Sequence, residues 1–581
     1  MPYPFELPTT SSISFDDFYI SATHPSLPLA ATTCRGVLRD VLKKHKRLPP
    51  PSQTSDLPAV ATALNEYIPH LSALDAGLSN SSSGQPAAAA AIPPGSTEAI
   101  NVVPLPRGEL AVEWRATLSA SPMPGRDPPR VKLRGLRLEL GFALASLAYV
   151  HSLQARAALH ALYNYNAAAP PSPEQRTAAV AAAMRSFLEA NSIHSYLVQR
   201  LGSSGSNATT TITNPSPSPP PSMPQRAASS NSGGDASPSG NGRKQSSQPP
   251  PTATIPPPDL TPGVQTALAS LTLAEATLIA VLKDDPYPAA VAEDRSRASR
   301  DWMFKAPDIP RVRAHLFARL CLAAAEHAAR GRAALGWVAA SGTAGAKVDE
   351  ALGRYLEDLR RTARGKACRF FGIDAELEGK AGEAIAWLRA ARRELGFGGS
   401  GGGGGGGSSG GGGGEEESGG KGKKGFAARL KKDWSEKRED RKIEKGADWG
   451  SDAGRFEEGR VVDMLEKKWV KMNDTVGVQT IPPIDPLLAS MPSGREYHSP
   501  KLYKLPHLDE STVASMRAPP PQHVRDAAAG VDADDSSSGD DDAAAAAAAA
   551  AVVAGGDPVG AFPGTSADYA AGGGDGDRGY Y

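Results

Sequence analysis

Apolar positions recur at three- and four-residue steps through much of the chain, and that spacing predicts helices. Between Arg130 and Ala158, Leu136, Leu140, Ala143, Leu147 and Val150 form one stripe, while Leu138, Phe142, Ala145, Tyr149 and Leu153 form a second on the opposite side. A helix that is apolar on two faces has to be covered on both, so it belongs in the middle of a stack. Val264, Leu268, Leu271, Leu278 and Leu282 make a further stripe, as do Leu316, Leu320, Ala323 and Ala324. Val348, Leu352, Tyr355 and Leu359 follow, and then Leu377, Ala381, Ala384, Leu388 and Leu395. Abundant alanine lets helix axes approach closely, as in tetratricopeptide-like arrays, although no strict repeat period is present.

At the start, Pro4 to Leu7 and Ser12 to Phe18 read as short extended pieces broken by prolines, and a helix is expected from Pro28 to His45. Lys43, Lys44, Lys46 and Arg47 complement the negative end of that helix before Pro49 stops it. The same cluster has the chemistry to touch acidic lipid headgroups. Near the other end, Gly459 to Met472 is expected to dock through Val462, Leu465, Trp469 and Met472. Lys421 to Lys445 carries mixed charge with sparse apolar points, which predicts an exposed arm.

Composition changes this picture by removing length from it. The chain has 581 residues with 60 Gly and 51 Pro, gathered largely in blocks at Asn80–Pro94, Gly202–Pro258, Gly396–Gly425 and beyond about Arg525. Blocks of that composition bury too little apolar surface to fold, so they read as inserts and a tail. What remains is rich in Ala and Leu, which predicts a predominantly all-α fold with short N-terminal extended segments. One helical domain is expected over residues 2–508, interrupted at about 80–94, 202–258 and 396–425, with a disordered acidic, Ala- and Gly-rich tail over 509–581.

Charge and chemistry exclude more than they suggest. Lys plus Arg total 63 and Asp plus Glu total 63, so no net field draws the chain to nucleic acid. The opening MPYPFELPTT lacks the basic and apolar regions of a secretory signal. The apolar stretch Leu133–Leu153 carries Arg134, Arg137 and Glu139, too many charges for a span of about 20 apolar residues. Cys34, Cys321 and Cys368 are widely separated, and buried reduced thiols in a cytoplasmic protein are expected. The 11 histidines make no HExxH or HxH arrangement, and His315 and His327 read as helix-face or core residues. The glycine run has no strand before it and no GK[ST] after it, and GSSGS and GTAG have no strand before them, so no catalytic, metal or cofactor site is expected.

Seven segments appear in an order that resembles the Bro-type (boomerang) domain family. They are PYPFELPTTSSISF, PRVKLRGLRLELGFALASLAYVHSLQA, LASLTLAEATL, DPYPAAVAEDR, RVRAHLFARLCLAAAEHA, GEAIAWLRAA and KMNDTVGVQTIPP, covering about Pro2 to Leu508. The opening FELPTTSSISF and the stretch from DPYPAAVAEDR to RLCLAAAEHA are similar to the fungal ambient-pH branch of that family, the PalC proteins. The PalA and ALIX branches add a two-armed coiled coil, and only RAPPP and a low-complexity tail follow Leu508 here.

The resemblance implies a tetratricopeptide-like helical-hairpin core whose hydrophobic patch binds the C-terminal helix of the core ESCRT-III subunit. It implies an adaptor in alkaline-pH signalling, working with a PalA-type adaptor and a calpain-like protease that processes a transcription factor. It further implies a cytoplasmic protein recruited to cortical or endosomal membrane sites through partners or basic patches. A partner helix needs apolar side chains on a helical surface. Leu144, Leu147, Leu268, Leu271 and Leu278 are the candidates, because they lie on the two segments that border the family's patch. Tyr3, Pro4 and Leu7 also spell a YPxxL string of the kind that PalA and ALIX coiled coils bind, although the piece begins the folded domain. An ALIX-like sorting adaptor and a generic helical-repeat peptide scaffold are the alternative readings.

Overall fold

A computed structural model describes residues 2–82, 100–106, 108–121, 127–128, 130–160, 162, 172–202, 256–295, 311–341, 347–397 and 450–518. The charged stretch Lys421–Lys445, most of each expected insert and the tail beyond Ala518 lie outside the described residues.

Helices dominate. Helix α1 spans Leu27–Arg47 and α2 spans Pro50–Ser82, after which come α3 (Leu136–His160), α4 (Pro173–Gly202), α5 (Pro262–Leu282) and α6 (Tyr287–Arg295). Then follow α7 (Arg311–Ser341), α8 (Glu350–Leu377), α9 (Ala381–Glu394), α10 (Arg455–Met472) and the short α11 (Ile484–Ala489) and α12 (Glu510–Ser515). The starts are set by local chemistry. Thr261 accepts a hydrogen bond from the Val264 amide just ahead of Pro262, and Asp349 accepts one from the Ala351 amide at 3.1 Å.

Packing runs in chain order: α2 on α3, α3 on α4, α4 on α5, α5 on α7, α7 on α8 and α8 on α9, with α10 closing over α8 and α9. The doubly striped helix is therefore interior, and Leu140, Phe142 and Tyr149 on α3 have no exposed surface. Gly331 on α7 marks a close crossing, since a Cβ there would come 3.1 Å from the Ala267 carbonyl oxygen of α5. Among the described residues, helix α5, rather than the stretch at Leu133–Leu153, is the one long and apolar enough by composition to cross a membrane. Most of it is buried inside the stack.

Among the described residues, two small antiparallel sheets stand beside the helices. Strand β1 (Tyr19–Ile20) pairs with β2 (Val103–Pro104), and β3 (Ala111–Arg115) pairs with β4 (Arg130–Arg134), with Trp114 opposite Val131. Alternation along β3 turns Val112 and Trp114 inward. This corrects the expected start of α3: Arg130–Arg134 is a strand, Gly135 turns the chain at φ +89°, and the helix begins at Leu136.

The fold also continues past Leu508. The segment after α11 lies across α7 and α5: the Arg495 amide donates to the Arg319 carbonyl at 3.0 Å, and Glu496 meets His327 at 2.9 Å. Leu505, Leu508 and Met516 pack on the main apolar core, and the Ala518 amide donates to the Thr23 carbonyl at 2.8 Å.

Candidate functional site

The five candidate leucines do not share one surface. Leu144, Leu268 and Leu271 are 0% exposed and Leu147 is 2% exposed, all within the main core. A side chain without surface cannot seat a ligand while the fold stays intact, so these four stabilise the stack from within. Leu278, on the last turns of α5, is partly buried and packs against three separate apolar clusters. It also lines a small cleft.

The cleft gathers residues from distant parts of the sequence. Leu159 closes it from α3, Leu278 and Leu282 from α5, Leu359 from α8, and Ala453 and Gly454 from the approach to α10. Its polar members are Glu275, Asp285, Thr362, Lys366 and Glu457. Asp285 belongs to a closed ionic network. Arg369 Nη2 lies 2.5 Å from Asp285 Oδ2, Arg369 Nε lies 2.6 Å from Glu458 Oε1, and Lys366 Nζ lies 2.6 Å from Glu458 Oε2. Burial would push the Asp285 carboxyl up, but Arg369 and Lys366 outweigh it and hold the group below the ordinary carboxylate value. With two cations against two anions, this network contributes no net charge to the cleft.

Glu275 is different. Its Oε1 accepts from the Tyr3 amide at 2.9 Å and from the Tyr355 hydroxyl at 2.6 Å, whereas Oε2 has no hydrogen-bond partner. Burial raises its pKa to about 7 against the opposing pull of Tyr355, the N-terminal amine, Tyr3 and Arg156. Thr362 Oγ1, on the same cleft, is also buried without a partner. Neither residue stood out in the sequence, although a lone acid inside LASLTLAEATLIAVL is a legible signal.

The other sequence candidates resolve into structure. Tyr3 and Leu7 of the YPxxL string are buried, and the Tyr3 ring meets Tyr355 at 5.1 Å, which ties that string into the core. Cys321 and Cys368 are free, buried thiols pushed up to about 12 by burial, and Cys34 is half-buried. His315 is exposed, and His327 is buried against Glu496. In the basic cluster, Lys44 pairs with Asp56 at 3.2 Å and Lys46 pairs with Asp127. Among the described residues, no group of three His, Cys, Asp or Glu side chains is placed to hold a metal ion.

No family model matches the sequence. The chain is 42% identical over 533 residues to the pH-response regulator protein palC of Emericella nidulans, covering 90% of this chain and 92% of that protein. The chain belongs to the PalC family of pH-response regulators. Solved structures similar to this PalC-family chain include the "ALIX BRO1 CHMP4C complex" at a TM-score of 0.40 and 12% identity, covering 88% of this chain and 96% of that one. Another, "Structure basis for endosomal targeting by the Bro1 domain", has a TM-score of 0.38 and 12% identity, covering 89% and 95%. Likenesses at that level decide nothing about the cleft. For the PalC-family chain, the site stands on its own geometry.

Proposed function

We propose that the chain is a non-enzymatic adaptor of the alkaline-pH response, built as one helical domain with inserts. Its helical domain binds the C-terminal helix of the core ESCRT-III subunit. With a PalA-type adaptor and a calpain-like protease, it assembles the complex in which the pH-responsive transcription factor is processed. The observation that carries this reading is the 42% identity to a pH-response regulator over 90% of the chain. Of the five candidate leucines, Leu278 is the one that keeps accessible surface, and a partner helix needs such an apolar point to dock on. Leu144, Leu147, Leu268 and Leu271 support that point from behind without touching the ligand. Recruitment to cortical membrane sites then comes through partners, with the basic cluster Lys43, Lys44, Lys46 and Arg47 suited in charge to acidic headgroups.

Deletion of the gene in its own host tests this reading. The proposal expects growth and transcription-factor processing to fail at alkaline pH and to proceed at acidic pH, with both restored by the full chain. Normal processing at alkaline pH without the protein would overturn it.

A further inference from the structure

Helix α10 docks through Val462, Leu465 and Trp469 but leaves Met472 49% exposed, and just beyond it Val476 and Val478 are 84% and 80% exposed. Side chains that open stand clear of their surroundings, and apolar ones grouped in this way mark a contact surface. The segment is nonetheless firmly held. Through a π-helical turn at Asn473–Gly477, the Val478 amide donates to the Asn473 carbonyl at 2.7 Å, and the buried Asn473 side chain bonds the Gln479 backbone at 2.9 and 3.0 Å. The Gln479 side chain donates to the Gly379 carbonyl at 2.8 Å and accepts from the Gly382 amide at 3.1 Å, which fastens the loop to the turn between α8 and α9. Val478 sits at φ +44° and ψ +34°, a left-handed conformation that a β-branched residue adopts only under constraint. Glycine would relieve that strain, and so exposed a valine gains little packing in return.

Charge indicates what the loop meets. Lys467, Lys468 and Lys471 lead into it on α10, and none of them forms an ion pair among the described residues. The neighbouring acids are engaged: Glu466 pairs with Arg389 and Arg392, Asp463 with Arg392, and Glu378 with Lys380. Asp474 is the one carboxylate within Met472–Thr480. A cation in the last turn of a helix answers the negative end of its dipole, which accounts for Lys471 but not for the bare valines beyond it. Apolar points beside free lysines match an anionic lipid surface, where the apolar groups enter the acyl boundary and the ammonium groups meet phosphates. We propose that the loop Met472–Val478 is a membrane-contact site, inserting Met472, Val476 and Val478 into an anionic phospholipid surface with Lys467, Lys468 and Lys471 on the headgroups. The site goes beyond the adaptor reading and does not involve the partner helix, Leu278 or the basic cluster on α1.

The test floats the full chain with vesicles of phosphatidylcholine containing about 30 mol% phosphatidylserine, and with vesicles of phosphatidylcholine alone. Affinity for the anionic vesicles at least about tenfold higher, and falling with added salt, is expected. The basic cluster on α1 is also attracted to such vesicles, so the loop variants carry the decision. Val476→Ser with Val478→Gly, in which glycine takes the left-handed position freely, is expected to keep the unfolding midpoint and to lower affinity at least about fivefold. Val476→Ser alone, at an exposed position, is the milder variant and is expected to lower affinity by a smaller factor with the fold unchanged. Lys467→Gln, Lys468→Gln and Lys471→Gln together are expected to lower it at least about tenfold. No flotation of the wild type, or equal flotation by the folded valine variants, overturns the membrane site. Self-association without vesicles that the valine variants lose would assign the loop to a second copy and overturn it as well. Loss of ESCRT-III peptide binding in those variants with flotation unchanged would assign the loop to the partner helix instead.

Discussion

The Arg35 guanidinium donates to Glu139 Oε1 at 2.8 Å, with side chains 1% and 0% exposed, and so ties α1 to α3. Glu139 also accepts from the Tyr67 hydroxyl at 2.7 Å and from the Trp114 indole, which brings α2 and β3 to the same carboxylate. Removing one member of a buried ion pair strands the other, at a cost of about 3–5 kcal/mol. Glu139→Ala is therefore expected to lower the urea midpoint by that equivalent, and adding Arg35→Met should restore part of it. A loss below about 1 kcal/mol in the single variant would contradict the picture of one shared buried anchor.

Glu275 gives the fold a pH signature whose sign can be worked out. Its pKa rises from 4.5 in the unfolded chain to about 7 in the folded one. Within that window the folded state holds more protons at this site than the unfolded state, so its contribution to stability falls as pH rises and is flat above about 7. Glu275→Gln removes the titration. The variant should gain roughly 3 kcal/mol on the wild type between pH 4.5 and pH 7. Burial pushes His194 down to about 4, which acts in the opposite sense, but it is common to both proteins and cancels in the difference. Urea unfolding across the range decides this, and a constant difference would contradict it.

Much of the helical core was legible because its periodicity is strong. The two stripes on α3 require burial on both faces, and the structure places that helix between α2 and α4. Helix α2 has no counterpart among the expected elements, and Pro58 and Pro69, a residue type that ordinarily breaks a helix, both lie inside it. Strand β4 runs directly into the α3 stripes, and no pattern within its five residues announces a pairing that sets Trp114 opposite Val131. The leucines of the proposed site divide for a similar reason. Leu271 and Leu278 fall on the same sequence stripe, and only the arrival of α8 and the chain before α10 leaves one buried and the other at a cleft.

Shortening the Ser/Pro segment between Gly202 and Pro256 by deleting residues 209–250 should leave the cooperative unfolding transition in place. A loop roughly fourfold shorter is expected to gain about 1 kcal/mol from closure entropy. Thermal unfolding with a single transition at or slightly above the wild-type midpoint is the expected result. A broad or split transition would show that the segment contributes to the core.

Leu271→Asp and Leu144→Asp should unfold the domain, because both side chains are 0% exposed and a charge there costs several kcal/mol without a partner. Circular dichroism with loss of helicity or of the cooperative transition checks this. Well-folded, fully helical variants would contradict the placement of these two leucines in the core.

The adaptor account is tested most directly by calorimetric titration of the full chain and its Leu278→Asp variant with a peptide of the ESCRT-III C-terminal helix. Burying one leucine contributes about 1.5–3 kcal/mol, so the account predicts saturable wild-type binding and at least a tenfold loss in a variant of unchanged helicity. Absence of wild-type binding, or equal affinity in the folded variant, would contradict it.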